Sequence, residues 1–194
     1  AYAVVNNYRN FDFKPYLFRT RDYGKTWESL LTGQNETFGY SLSMVQDPVE
    51  KKLLFLGTEN GLYISLDEAG TWTKWTKNYP SVPTMDMIIH PKEHDLAIAT
   101  FGRSFYVLDD IRPLREIAVS GLSALDKGLG IFEPPTAYLA QYQEPTGTRF
   151  GGNAVFNGEN RKSGAMITYV FNGKKPIQET EKDSITKSKS DSLI

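Results

Sequence analysis

Carboxylate side chains are the residues of this sequence that could perform hydrolytic chemistry. A glycosidase needs two of them facing one sugar, about 5–5.5 Å apart for retention or about 6.5–9.5 Å apart for inversion. Asp109 and Asp110 are adjacent in a predicted strand, so their side chains would point to opposite faces and could not form that pair. Asp86 lies on another predicted strand. It is a catalytic candidate, with a hydrogen-bonded structural carboxylate as the alternative.

Other catalytic and metal-binding chemistries have little support in the sequence. The chain has 2 His, His90 and His94, and no Cys, which disfavours a His-rich catalytic metal site and excludes thiolate ligands. It carries no Ser-His-Asp signature and no phosphate-binding glycine loop. His90 precedes Pro91 at a predicted strand end and is interpreted as a turn residue. We therefore predict no metal and no cofactor.

Aromatic loop residues are better candidates for a binding site. Between two predicted strands, residues 7–15 carry aromatic rings interleaved with charge, at Tyr8, Arg9, Phe11 and Phe13. Arg103 occupies the equivalent turn of a later unit. Exposed aromatic side chains suit stacking on sugars or gripping of a peptide. The alternatives are that the aromatic rings pack the loop onto its neighbour and that Arg103 forms a salt bridge.

An internal repeat supplies the elements that position these residues. Two octets match, TRDYGKTW at residues 20–27 and SLDEAGTW at residues 65–72, and their aspartates Asp22 and Asp67 are 45 positions apart. A third unit aligns Asp109 with Asp67 at an offset of 42, and places MIIHP over MVQDP at an offset of 43. A period of about 42–45 residues with four short strands is typical of a β-propeller blade.

The predicted fold class is all-β, a propeller segment of about three four-stranded blades with Asp boxes. In the middle unit we predict strands at residues 40–48, 51–59, 61–68 and 71–75. The third unit supplies 85–91, 95–101 and 104–110, and the first supplies 2–7, 15–22 and 25–30. Asn60-Gly61 predicts a type I′ hairpin turn, because both residues tolerate positive φ.

The octet has a structural explanation. Its Asp accepts hydrogen bonds from N–H groups of the following turn, its Gly permits a backbone closed to other residues, its Ser or Thr ties the strands, and its Trp buries a ring. We assign these roles to Thr20, Asp22, Gly24, Thr26 and Trp27, and to Ser65, Asp67, Thr71 and Trp72. Replacing Asp22 should therefore destabilise the turn rather than remove a ligand contact. Ala69 stands where glycine is expected, which predicts a turn shifted by one residue. In the third unit Val107 replaces the Ser or Thr, which predicts a lost clamp.

The octets resemble Asp-box (BNR) repeats, which occur in sialidases, xyloglucan-active endoglucanases and sortilin (VPS10) receptors. The segments YAVVNNYRNFDFKPYLFRTRDYGKTW and TFGRSFYVLDDIRPLREI also resemble large exported bacterial proteins labelled sortilin-like or "glycosyl hydrolase". This resemblance covers residues 1–118. It implies a secreted or periplasmic protein of the bacterial cell envelope, but no particular activity. A sialidase would need three arginines, of which Arg103 could supply one.

The repeat covers residues 1–113, and the rest of the chain differs from it. We expect an extended connector over residues 114–150 and the start of a β-sandwich-like domain over residues 151–194, with a strand at 164–173. The polar tail from Lys174 should be the most mobile part of the chain, because it has little apolar surface to bury. Three blades cannot close a ring, so the expected partners include missing N-terminal blades of the same polypeptide.

Charge and hydropathy exclude two further classes of function. A net charge of −1 argues against a nucleic-acid partner, which needs clustered cations. No apolar run approaches the roughly 20 residues of a membrane span. The leading hypothesis is a non-catalytic exported propeller that binds a peptide, protein or glycan. Two alternatives stay open: a glycoside hydrolase whose carboxylates lie mainly in other blades, and a structural module of an envelope or secretion assembly.

Overall fold

The computed structural model describes residues 1–31, 38–122, 125, 128–139 and 164–172. Within these residues the chain is mostly β, with four antiparallel sheets and one α-helix. The residues expected to form the mobile tail, from Lys174 onward, lie outside this part of the chain.

Three sheets follow one another along the chain. The first contains β1 (Tyr2–Asn7), β2 (Asp12–Arg19) and β3 (Glu28–Ser29). The middle sheet contains β4 (Ser41–Gln46), β5 (Leu54–Thr58), β6 (Gly61–Ser65) and β7 (Thr73–Trp75). The third contains β8 (Thr84–Ile89), β9 (Leu96–Thr100) and β10 (Phe105–Leu108). In each sheet the strands pair in chain order, and every predicted strand overlaps an observed one. The predicted loop at residues 7–15 is too long, because β2 already begins at Asp12, so Phe13 lies on a strand.

The middle sheet is buried on both faces. Every residue of β5 and β6 is buried, which explains why these strands read as apolar runs rather than as alternating patterns. The first and third sheets pack against its two faces. One core contains Leu17, Leu31, Phe38, Leu56 and Tyr63, and a second is built around Phe55, Leu62, Met87, Ile98 and Ile111.

The same aromatic pair recurs in the two cores. Phe38, just before β4, packs on Tyr63 of β6 with ring centroids 4.1 Å apart. Tyr79, before β8, packs on Tyr106 of β10 at 5.0 Å. The middle and third units therefore use one packing scheme, which is the structural counterpart of the sequence repeat.

The hairpin between β5 and β6 lies where it was predicted, but its type differs. Gly61 has φ 128°, whereas neither Glu59 nor Asn60 has a positive φ, so the turn is not type I′. The Thr58 hydroxyl explains the difference. Its Oγ1 accepts the Asn60 N–H at 3.1 Å and donates to the Gly61 carbonyl at 3.3 Å.

Strand register corrects the alignment of the third unit. Leu56 of β5 and Ile98 of β9 are equivalent residues, 42 positions apart. Leu56 pairs with Tyr63 and Ile98 pairs with Tyr106, and these two partners are 43 positions apart. Through β10 the offset is therefore 43, and Asp110 rather than Asp109 is equivalent to Asp67. The residue that replaces the octet Ser or Thr is accordingly Leu108 instead of Val107. A β9–β10 hairpin one residue longer than its counterpart accounts for the change. Since β10 ends at Leu108, the two aspartates do not lie on a strand.

A helix replaces part of the expected extended connector. α1 spans Arg112–Ser120 and has Pro113 in its first turn, where a missing N–H costs no helical hydrogen bond. Ile111 and Ala118 anchor it in the second core. The fourth sheet pairs β11 (Leu129–Ile131) with β12 (Tyr169–Phe171). Within the predicted strand at 164–173, residues 169–171 form β12. β12 pairs with β11, which lies in the range 114–150 that was predicted to be an extended connector.

In the part of the chain described above, no helix combines the length and hydropathy needed to cross a membrane.

Candidate binding surface

The first octet turn, residues 20–27, is closed by its own side chains. Asp22 Oδ1 accepts the Thr26 N–H at 2.9 Å and the Thr20 hydroxyl at 2.8 Å. Asp22 Oδ2 accepts the Thr26 hydroxyl at 2.6 Å, and Thr20 Oγ1 accepts the Gly24 N–H at 2.8 Å. The hydroxyl thus joins the carboxylate to the turn and does not tie two strands as expected.

The second octet turn, residues 65–72, repeats this geometry without the expected shift. Asp67 accepts bonds from the Ser65 hydroxyl, the Thr71 N–H and the Thr71 hydroxyl, each at 2.8 Å. Ala69 takes the place of the glycine and adopts φ 73°, and its N–H bonds Ser65 Oγ at 2.9 Å. A left-handed alanine costs about 1–2 kcal/mol, which these bonds offset.

The two octet tryptophans differ in burial. Trp72 packs against the core between the first and middle sheets. Trp27 is 48% exposed, so its expected burial is wrong. Trp72 of the middle unit packs toward the first sheet. Trp27 of the first unit would pack toward a sheet that precedes the first one, and none of the described sheets lies there.

The third unit replaces the octet clamp with an ion pair. Asp110, at the position of Asp67, adopts φ 48°. Its carboxylate accepts two bonds from the Arg112 guanidinium, at 2.6 and 3.1 Å. The Asp110 N–H donates to Asp95 Oδ1 at 2.8 Å. The corner that leads into α1 is therefore held by charge-assisted bonds.

Asp22 is expected to titrate near pH 2. The Thr26 hydroxyl, the Thr26 N–H and the Thr20 hydroxyl lower the pKa of Asp22 from 3.8 to about 2. Because the folded pKa lies below the unfolded one, the stabilisation is complete above pH 3.8 and is lost as the pH falls toward 2. Carboxyl ¹³C NMR measures this midpoint, and Asp22→Asn should remove this part of the acid sensitivity. A midpoint at the ordinary value would contradict the hydrogen-bond set.

An aromatic cluster lies at the other end of the strands. Tyr8 stacks on Tyr40 with ring centroids 4.8 Å apart and an interplanar angle of 24°. The ring centroids of Phe13 and Tyr40 are 6.3 Å apart. The Arg9 Cζ atom lies 6.0 Å from the centroid of the Tyr8 ring. Phe11 is 87% exposed. It ends a 3₁₀ turn at φ 61°, a conformation in which a bulky residue is rare.

Tyr40 is the member of this cluster that the candidate set lacked. It directly precedes β4, and its carbonyl accepts the Glu59 N–H at 3.0 Å, which places it beside the β5–β6 hairpin. The sequence predicted a strand that begins at Tyr40. It did not predict that Tyr40 contacts Tyr8, which belongs to the β1–β2 hairpin of the first sheet. The Tyr8–Tyr40 contact places the β1–β2 hairpin beside the β5–β6 hairpin. The β9–β10 hairpin joins the strands equivalent to β5 and β6, so the three hairpins lie at one end of the sheets.

Arg103 lies in the β9–β10 hairpin at this same end and is exposed. Among the described residues no ion pair engages it. The structure therefore brings Tyr8, Phe13 and Tyr40 together, with Arg9 and Phe11 at the edge, while Arg103 belongs to a separate hairpin.

The remaining catalytic candidates have local partners. Asp86 is exposed on β8, and its Oδ1 accepts the Met87 N–H at 2.8 Å. His90 Nδ1 accepts the Glu93 N–H at 3.0 Å, which fits its interpretation as a turn residue. In the residues described, no group of three or more Asp, Glu and His side chains is placed to hold a metal ion.

Comparison with known proteins gives one similarity. The chain is similar to vacuolar protein sorting/targeting protein 10 of Aspergillus clavatus, with 29% identity over 115 residues. The similarity is to a VPS10 protein. It covers 54% of this chain but 8% of that protein, so the chain spans less than a tenth of its relative. No family model and no solved structure matches the chain.

Proposed function

We propose that residues 1–113 form an arc of three blades of a β-propeller and that this arc is a non-catalytic module that binds a peptide segment of another protein. The proposal includes export to the bacterial cell envelope, on the ground of the resemblance of residues 1–118. The observation that carries the binding function is the Tyr8–Tyr40 stack, flanked by exposed Phe11 and Phe13.

Open apolar faces at the end of the series support the propeller arc. Val45, Leu62 and Ile64 of the middle sheet face the third sheet in the second core. The equivalent residues of the third sheet, 43 positions later, are Ile88, Phe105 and Val107. Ile88 is 69% exposed and Phe105 is 73% exposed. Further blades of the same polypeptide would cover this face as the third sheet covers the middle one.

Three features support a peptide ligand. Tyr8, Phe11 and Phe13 expose aromatic surface beside Tyr40, and aromatic side chains are enriched among the residues that dominate the binding energy of protein interfaces. Arg9 adds a cation beside the Tyr8 ring, where it could meet a carbonyl or carboxylate. The name of the similar protein refers to protein sorting, an activity that requires recognition of other proteins.

Replacing Phe11 and Phe13 by Ser is expected to weaken binding at least about tenfold, or about 1.4 kcal/mol, with little change in melting temperature. Tyr8 is kept because its ring stacks on Tyr40 at 4.8 Å, whereas the ring of Phe13 lies farther from Tyr40, at 6.3 Å, and is more exposed. The probe is a peptide selected on the wild-type chain from a random-sequence library, measured by calorimetry. Tyr23→Ser is the matched control, because Tyr23 is fully exposed and lies in the first octet turn at the opposite end.

Two outcomes would contradict the proposal. A fall in melting temperature without a separable loss of binding would make Phe11 and Phe13 packing residues. Binding of an oligosaccharide array with the same dependence on both residues, in the absence of peptide binding, would replace the peptide with a glycan.

A further inference from the structure

A pocket of about 280 Å³ lies between the middle sheet and α1, away from the aromatic cluster. We call it the α1 pocket. Its apolar lining comes from both sides, from Ile64, Leu66 and Trp75 of the middle unit and from Leu114, Ile117 and Leu122 of α1 and the residues after it. Leu122 is exposed, so the apolar lining extends to the solvent at its edge.

The equivalent place between the first and middle sheets is filled by charged side chains. The residues 45 positions before Ile64, Leu66 and Thr73 are Arg19, Arg21 and Glu28. Glu68 Oε1 of the middle unit lies 3.0 Å from Arg19 Nη1 and 3.1 Å from Arg21 Nη2. Glu28 lies 3.6 Å from Arg21 and also pairs with Arg19. The repeat therefore has an ionic cluster at one interface and an apolar pocket at the next.

The size of the pocket limits its occupant to a small apolar body. A cavity of about 150 Å³ lined by apolar side chains holds benzene, so 280 Å³ accommodates two fused rings. The Trp75 Nε1–H already donates to the Lys77 carbonyl at 3.0 Å. The Trp75 indole therefore contributes its apolar ring to the pocket, and an aromatic ligand can stack on it.

Charge at the rim selects among such ligands. Asp67 is one of the lining residues, and its carboxylate accepts hydrogen bonds from the second octet turn. Gly121 and Leu122, which also line the pocket, follow the C-terminal end of α1, where the helix dipole is negative. Both features disfavour an anion.

We propose that the α1 pocket binds a neutral or cationic aromatic molecule of one or two fused rings. The inference is independent of the peptide-binding function, since it concerns the opposite end of the sheets and different residues.

Titration of the full chain with indole, tryptamine and indole-3-acetate tests the proposal. Chemical-shift changes at the Trp75 indole N–H report occupancy. Indole and tryptamine should bind saturably, and indole-3-acetate at least about tenfold more weakly because of the rim charge. Ile117→Trp should fill the pocket and abolish binding, whereas Val119→Trp, at an exposed position of α1 outside the pocket, should leave it unchanged.

A second variant keeps the test decisive if Ile117→Trp disturbs α1. Leu66→Arg introduces the residue type that the first sheet has at the equivalent position, Arg21, and should also abolish binding while circular dichroism stays that of the wild type. Absence of saturable binding by indole and tryptamine would overturn the proposal. So would unchanged binding in both pocket variants, or tighter binding of indole-3-acetate.

Discussion

Replacing Arg115 by Met should destabilise the chain by about 3–5 kcal/mol, the usual effect of removing one partner of a buried ion pair. Arg115 Nε donates to Asp47 Oδ2 at 2.8 Å, and the Asp47 side chain is fully buried. Arg115 Nη1 also donates to His94 Nδ1 at 3.0 Å. The substitution leaves the Asp47 carboxylate in the interior without its cation, and urea denaturation measures the loss.

The control for this prediction is a surface ion pair. Arg21→Met removes a mostly exposed guanidinium from its pairs with Glu28 and Glu68, and pairs of this kind contribute about 0–1 kcal/mol. Adding Asp47→Asn to Arg115→Met should restore part of the lost stability. Equal effects of Arg115→Met and Arg21→Met would mean that the buried pair does not hold α1 in place.

Gly57→Ala should cost about 3 kcal/mol, at the upper end of the range for overpacking a core. Gly57 lies on β5 and faces Thr84 of β8 in the third sheet. An added Cβ would meet Ser43 Oγ, and would lie 2.6 Å from the Thr84 carbonyl oxygen and 2.8 Å from Thr84 Cγ2. Since one of these neighbours is backbone, β8 would have to move.

Gly128→Ala is the matched control, because an added Cβ there has no described atom within 4 Å. Its effect on the free energy of unfolding should stay within about 0.5 kcal/mol. Melting temperatures and urea midpoints of the two variants compare them directly. A Gly57→Ala variant as stable as Gly128→Ala would show that the two sheets are not in close contact at this point.

Strands could be predicted wherever the pattern of residues within one segment determines the structure. The apolar runs of β5 and β6 and the turn residues between them locate the middle sheet. The octets also predict which carboxylate accepts hydrogen bonds, because donor and acceptor are separated by four residues or fewer. Sequence did not predict that Ala69 would take a left-handed conformation, since that depends on the bonds that compensate its cost.

The remaining features depend on contacts between distant parts of the chain. Asp47 and Arg115 are 68 positions apart, and no local pattern links the turn after β4 to a helix that was expected to be extended. The one-residue slip of the third unit depends on the length of the β9–β10 hairpin, which only the strand register reveals. At the aromatic cluster, the loop residues could be selected from composition, whereas Tyr40 could not be paired with them. Their role in binding remains a prediction.

The paired aromatic rings have an evolutionary consequence. Phe38 and Tyr63 both belong to the middle unit, and Tyr79 and Tyr106 both belong to the third. Each unit thus encodes both members of the pair that it presents to its predecessor. Duplication or deletion of one whole unit would leave every such pair intact, so that the length of a series of this kind can change in a single genetic event without compensating substitutions at that position.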